Sequence, residues 1–387
     1  MLVLWTLLLA GGCDPNTVVS PENGQAIGFQ AGIQLLDGDT RALNTNTSFS
    51  QGQKFHVYGR RTGEGRNTRI FGENGEEVEL KDHDSNPSTP LKWVYENTSY
   101  WYWVSSANYY DFLAVYPHTA SSSRMVNAQG KDIPGNMAIQ SVYALDEDND
   151  GIDEDYDLLF AGTRRTGNVS DRTAPVLLEF NHLLSAVRIR VTNQSKTTNF
   201  RIDSLYFTNI INRGAAKATI DPLGYPEFSW IDTERKAKVN PSDPTSKFVR
   251  LRVDKPNLVL YGTSKVDPDA VPAKVGTCTR DWKLMIPGDH TITSNGTEDT
   301  DYLPKLYIVF TVVGDDGSTT VGSQRTSFVY LKDIRRDPNN GDDLIPEWEM
   351  GVRYTYNISL RLDGDVIISI ITTEWDDIIA ETPGILI

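Results

Sequence analysis

Cysteine is almost missing from this chain. Only Cys13 and Cys278 occur in 387 residues, which excludes the disulfide framework that staples many secreted domains. The fold must stand on its apolar core, and a chain of this length has enough of one for two domains. Long apolar runs are missing too. Leu2–Ala10 is short and broken by Thr6, well below the roughly 20 residues of a membrane-spanning helix. Helical periodicity is scarce, and no long stretch repeats convincingly at 3.6 residues. Catalytic signatures are absent: there is no Gly-x-Ser-x-Gly elbow, no Gly-rich phosphate loop and no His-Glu-x-x-His. The five histidines, His56, His83, His118, His182 and His290, lack metal-ligand spacing. Positive charge is in deficit, 37 Lys and Arg against 52 Asp and Glu for a net −15. That balance disfavours nucleic acid as a partner, because phosphates demand a basic face. The expectation is a non-enzymatic, acidic, all-β protein.

What is present begins at residue 1. Leu2–Ala10 has the length of the apolar region of a secretory signal. Ala10-Gly11-Gly12-Cys13 follows and resembles a lipobox, where a signal peptidase cuts before a lipid-bearing cysteine. Ala10 stands where leucine is usual, and no Lys or Arg precedes Arg41. A plain secretory signal with an incidental cysteine is the alternative. An acylated Cys13 leaves Cys278 without a disulfide partner, as an inert thiol. Two or three acyl chains on Cys13 would anchor stably where one holds only marginally. Residues 1–13 read as a lipoprotein signal and residues 14–24, DPNTVVSPENG, as a tether.

Beyond the tether the dominant period is two. Ser185–Val191 puts Val187, Ile189 and Val191 on one face and Arg188 and Arg190 on the other, the pattern of a half-buried strand. Lys54–Tyr58 and Phe112–Tyr116 alternate less cleanly but are rich in strand formers. Two hairpins are sharper. Lys305–Val313 and Thr319–Leu331 flank Asp315-Asp316-Gly317-Ser318, and Arg353–Leu362 and Val366–Thr373 flank Asp363-Gly364. Glycine takes positive φ cheaply, so an Asp-Gly pair between β-rich runs marks a hairpin. A composition shift near Asp171–Pro175 suggests domains at 25–172 and 173–387.

Two further constellations carry chemistry. Asp146–Asp157 has carboxylates at loop positions 1, 3 and 5, glycine at 6 and aspartate at 12, the spacing of a Ca²⁺ loop. The ligands would be Asp146, Asp148, Asp150, the Ile152 carbonyl and Asp157, with Glu154 through water. A solvated acidic loop is the other reading, since position 12 lacks the usual glutamate and no flanking helices are evident. Trp93–Tyr110 is rich in aromatics, and Trp101 and Trp103 are the rings proposed for stacking on sugars. Core filling, with alternating outward tyrosines, is the favoured reading of the same segment.

Several pieces together resemble the fimbrillin-like proteins, the subunits of type V pili. They are the lipoprotein start at Cys13, Asp39-Thr40-Arg41-Ala42, the aromatic strand Tyr109–Pro117, Leu158-Leu159-Phe160-Ala161, Leu178-Glu179-Phe180-Asn181-His182-Leu183-Leu184-Ser185, and the closing Tyr354-Thr355-Tyr356 with a last strand reaching Trp375. The resemblance implies two transthyretin-like β-sandwich domains in tandem. It implies a precursor anchored to the outer membrane through Cys13 and cut after Arg41, leaving Ala42 as the new N-terminus. Other fimbrial subunits would then be the partners, by donor-strand exchange in a fimbrium at the cell surface. Val366–Thr373 is the natural donor candidate. The alternative is a surface lipoprotein that binds glycan or a host ligand through an aromatic face.

Overall fold

The computed structural model describes residues 26–33, 49, 51–63, 66–71, 75–81, 91–95, 103–104, 107–117, 123–127, 137–145, 157–167, 174–235, 249–251, 258–262, 276–277, 283–291, 303–335, 344–361 and 366–374. Among them the regular structure is β, apart from one 3-10 turn at Leu331–Asp333. The first half runs β1 (Phe29–Ile33), β2 (Lys54–Gly63), β3 (Arg66–Arg69), β4 (Glu76–Lys81), β5 (Lys92–Tyr95), β6 (Tyr109–Tyr116), β7 (Ser123–Asn127), β8 (Met137–Ala144), β9 (Leu159–Thr166) and β10 (Val176–His182). The second runs β11 (Ser185–Asn193), β12 (Asn199–Thr208), β13 (Ile211–Ile220), β14 (Pro226–Arg235), β15 (Val249–Leu251), β16 (Leu258–Leu260), β17 (Gly276–Thr277), β18 (Lys283–Met285), β19 (Gly288–Asp289), β20 (Lys305–Val313), β21 (Thr320–Tyr330), β22 (Glu347–Trp348), β23 (Val352–Leu360) and β24 (Val366–Glu374).

The first sheet has the order β1-β10-β9-β6-β2-β4-β5, with β3 added beside β2. It curls until its two edges meet, and the Phe29 ring of β1 lies edge-on to Tyr95 of β5 at 5.9 Å. Its inner face encloses a core of Phe55, Val57, Phe112, Ala114, Val176, Leu178 and Phe180. Its outer face is also buried. Tyr58, Leu113, Val115 and Phe160 face a four-stranded sheet of order β14-β13-β8-β7. Ala216 and Ala218 of β13 are small enough to let the two sheets approach closely. Burial on both faces explains why Phe112–Tyr116 alternates so poorly in sequence: neither face needs a polar residue.

The second half contributes two five-stranded sheets, β17-β11-β23-β24 with β18 beside β11, and β15-β12-β20-β21 with β16 beside β12. Val187, Ile189 and Val191 from β11 and Tyr354, Tyr356 and Ile358 from β23 meet Phe200, Phe207, Leu306 and Phe310 across the interior. The Phe207 ring packs on Trp348 and Tyr356 at 5.5 and 5.9 Å. Both expected hairpins form, β20 with β21 and β23 with β24. In the first, Gly317 takes φ 69°, and Asp316 accepts hydrogen bonds from the Ser318 and Thr319 amides.

Backbone pairing crosses the 172/173 boundary read from composition. Val176–His182 pairs with β1 and β9, and β13 pairs with β8 from Arg213↔Ala144 to Thr219↔Ala138. The first sheet therefore ends at His182, where Leu183 and Leu184 lead straight into β11.

Candidate strand-exchange groove

β1 is a five-residue edge strand paired parallel with β10, from Phe29↔Val176 to Ile33↔Phe180. The Val176 amide also donates to the Gly28 carbonyl at 2.8 Å. Ile27, Phe29 and Ala31 point inward and are buried, whereas Gly28 and Gln30 are exposed. That alternation is what a strand laid over an apolar trough requires. Phe29 is the anchor. Its ring sits among Phe55, Phe71, Tyr95 and Phe112, with centroids 5.7–6.4 Å apart. Such clustered rings add specific edge-to-face contact to the area they bury.

The trough beneath β1 is lined by Phe55, Tyr95, Phe112, Val176 and Leu178. Without β1, the β10 edge would present main-chain donors and acceptors beside this apolar floor. That combination accepts a foreign strand, because main-chain pairing gives affinity and side-chain pockets give register. Phe49, just downstream of the segment that holds Arg41, packs against Trp93, Tyr116 and Phe180 at 5.3–5.5 Å. Chain on both sides of residues 34–48 is thus fixed to the same core.

A buried ionic ladder crosses the outer face of the sheet. Arg60, Asp111 and Arg164 are cross-strand neighbours on β2, β6 and β9. Asp111 is fully buried and accepts hydrogen bonds from Arg60 Nη2 at 2.7 Å and Arg164 Nε at 2.6 Å. Hydrogen bonding to Asp111 raises the Arg164 pKa. Arg164 also donates through Nη1 to the Pro222 carbonyl at 2.8 Å, tying the β13–β14 turn to the first sheet.

The residues singled out in the sequence fare differently. Cys13, Arg41, Ala42, Trp101, Asp146, Asp148, Asp150 and Ile152 lie outside the described residues. Asp157 is described, and its Oδ2 is 2.7 Å from His182 Nδ1. Among the described residues no group of three or more His, Cys, Asp or Glu could hold a metal ion. Trp103 corrects an expectation: it is 7% exposed and packs edge-on against Tyr110 at 4.7 Å, so its ring is a core filler and not a stacking face. Val366–Glu374 pairs along its length with β23, from Val352↔Glu374 to Leu360↔Val366, as the edge strand of its own sheet. Sequence reasoning named no residue of β1 as part of the site, although the alternation Ile27, Phe29, Ala31 was there to find.

The fimbrillin-like family model matches residues 40–375. No curated protein matches the chain. Among solved structures, a candidate cell adhesion protein from Bacteroides uniformis is 15% identical, with a TM-score of 0.46 over 92% of this chain and 100% of that one. A second, from Bacteroides eggerthii, is 12% identical, with a TM-score of 0.47 over 92% and 97%. A fimbrilin from Porphyromonas gingivalis is 8% identical, with a TM-score of 0.41 over 90% and 97%. The family match spans most of the sequence and every described strand except β1, and this chain belongs to the fimbrillin-like family.

Proposed function

We propose that this chain is a structural or adhesive fimbrial subunit or accessory protein, exported as a lipoprotein precursor on Cys13 and assembled by strand exchange after cleavage at Arg41. The observation that carries the reading is the position of β1. It is a short edge strand that covers an aromatic trough, and Arg41 lies downstream of it and upstream of Phe49. A cut after Arg41 severs β1 from the rest of the sheet while every other described strand stays covalently joined. The freed trough then takes a strand from a neighbouring subunit, and the edge strand Val366–Glu374 is the donor we favour. No feature assigned so far is an arrangement for chemistry on a substrate, and the family's role is structural.

The test is limited digestion of the full chain with an Arg-specific protease. N-terminal sequencing should read Ala42, and sizing at rising concentration should show oligomers that Arg41→Ala does not form. A trimmed chain that stays monomeric at high concentration defeats the strand-exchange reading.

A further inference from the structure

Among the described residues the second-half sandwich is closed along one side and open along the other. β16 lies against β17 on the closed side, and β21 and β24 are the edge strands of the open one. The eleven residues of β21 pair with β20 alone. Leu306, Ile308 and Phe310 of β20 are buried, yet the residues opposite them are not. Val329 and Ser327 are half-buried, and Arg325 is exposed. Opposed residues of an antiparallel pair share a face. The core therefore stops at β20, and β21 overhangs it.

The rest of the strand is as open. Val321 is 63% and Phe328 48% exposed, and Gln324 and Thr326 are exposed between them. Among the described residues the Arg325 guanidinium has no hydrogen bond or ion pair. From Gln324 to Tyr330 the register with β20 is regular, and no proline or bulge blunts the edge. A long, regular edge of this kind offers free main-chain donors and acceptors to another strand.

β24 delivers the chain that follows it to this edge. β23 runs parallel to β11, and β24 antiparallel to β23. β12 turns back from β11, with Asn193 bonded to the Leu260 carbonyl at one end and Phe207 packed on Tyr356 toward the other. β20 is antiparallel to β12, and β21 to β20. Glu374 and Tyr330 therefore stand at the same end of the sandwich, on the same open side. A chain that folds back after Glu374 runs antiparallel to β21. Trp375–Thr382 reaches at most about 28 Å. That is enough to cross the roughly 10 Å between packed sheets and lie along the nearer half of β21.

The two sequences complement each other. Thr320–Tyr330 holds one charge, Arg325, whereas residues 375–387 hold Asp376, Asp377 and Glu381 and no basic residue. Ile378 and Ile379 are strand formers, and Pro383-Gly384 marks a natural stop. Residues 336–343 are a poorer fit, because the Arg335–Leu344 bridge closes them off. We propose that the chain after Glu374 crosses to the second sheet and adds Ile378–Thr382 to the free edge of β21 as an antiparallel strand, closing the open side of the sandwich. The two isoleucines then bring apolar cover beside Phe328. This contact depends on neither lipidation nor cleavage at Arg41. If β24 is donated as proposed above, the same chain leaves with it and uncovers β21.

Hydrogen exchange on the uncleaved full chain reads the contact. Every second amide of an edge strand points away from its one partner. Those outward amides within Gln324–Tyr330 should exchange at least tenfold more slowly than in an unstructured peptide of the same sequence. Ile379→Pro with Ala380→Pro removes two donors from the added strand and should return them to the peptide rate. Arg325→Glu should speed them several-fold, and β11 amides should stay protected in both variants. Outward amides that exchange at the peptide rate in the parent, or that stay protected in the double-proline variant, overturn the proposal. Protection that fades on dilution assigns the edge to a second copy and also overturns it. Digestion at Arg41 reads strand exchange separately. Protected β21 amides with no oligomers after digestion remove the strand-exchange reading alone, and oligomers without β21 protection remove this contact alone.

Discussion

At the scale of single residues, the buried groups divide into those that are paired and those that are not. Asp111 is compensated from both sides, by Arg60 and by Arg164. Asp111→Ala would leave two guanidinium groups facing each other across one sheet. The expected loss is about 3 kcal/mol, the low end for breaking a buried pair, because Arg164 reaches water. Chemical denaturation measures it, and faster amide exchange at Gly224 and Tyr225 should accompany it as Arg164 loses its brace. Tyr58 is the opposite case. Its ring is fully buried, and its hydroxyl has no hydrogen-bond partner among the described residues. Burial pushes its pKa up to about 12 from 10. A raised pKa means that the folded state holds the proton longer than the unfolded one. The stabilisation it represents is complete below pH 10 and is lost as the pH climbs toward 12. Tyr58→Phe should therefore unfold less readily than the parent in that alkaline window and differ little at pH 7. A steeper alkaline loss in the variant would contradict this account.

At the scale of elements, β1 is held by side chains more than by length. Five residues of parallel pairing on one side are a weak hold, so the Phe29 ring carries much of the docking. Phe29→Ala should cost about 3–5 kcal/mol of local stability. Exchange of the Val176 amide, which donates to Gly28, should speed up while amides in β11 stay protected. Uniform acceleration throughout the chain would mean that β1 is not a separable element. The sequence announced some elements clearly and hid others, for physical reasons. β11 shows clean alternation because one face meets core and the other meets solvent. The β20–β21 turn shows itself through Asp316 and Gly317, whose side chain and φ make the turn locally. β6 does not alternate, because Phe112 and Leu113 enter different cores. The parallel pairs β1–β10 and β11–β23 join residues more than a hundred positions apart, and no local signal encodes them. Trp103 looked like a ligand face because composition counts rings without saying which way they turn; Tyr110 takes its edge.

At the scale of the whole molecule, the two halves of the sequence are not two halves of the structure. The first sheet borrows β10 from beyond residue 172, and β8 finds its partner in β13. The second core runs without a break from Tyr58 and Leu113 of the first sheet to Tyr354 and Ile358 of the sandwich. A fragment of residues 25–172 would lack β10, the strand that pairs with β1 among the described residues, and would leave one edge of β8 open. It would also expose the outer faces of β6 and β9, where Leu113, Val115 and Phe160 are buried in the intact chain. Each such side chain left in water forfeits about 2 kcal/mol of burial, against the 5–15 kcal/mol that holds a whole domain together. The fragment is expected to lack cooperative unfolding and to aggregate through the open edges of β9 and β8. Extending it to residue 235 restores β10, β13 and β14, but leaves β11 and β12 without β23 and β20. The full chain, which also supplies β18, β20 and β23 to pair β11 and β12, is expected to show sharp proton chemical-shift dispersion and a sigmoidal urea transition. A cooperative transition in the 25–172 fragment would show that the first core is self-sufficient and that the shared strands only dock on it.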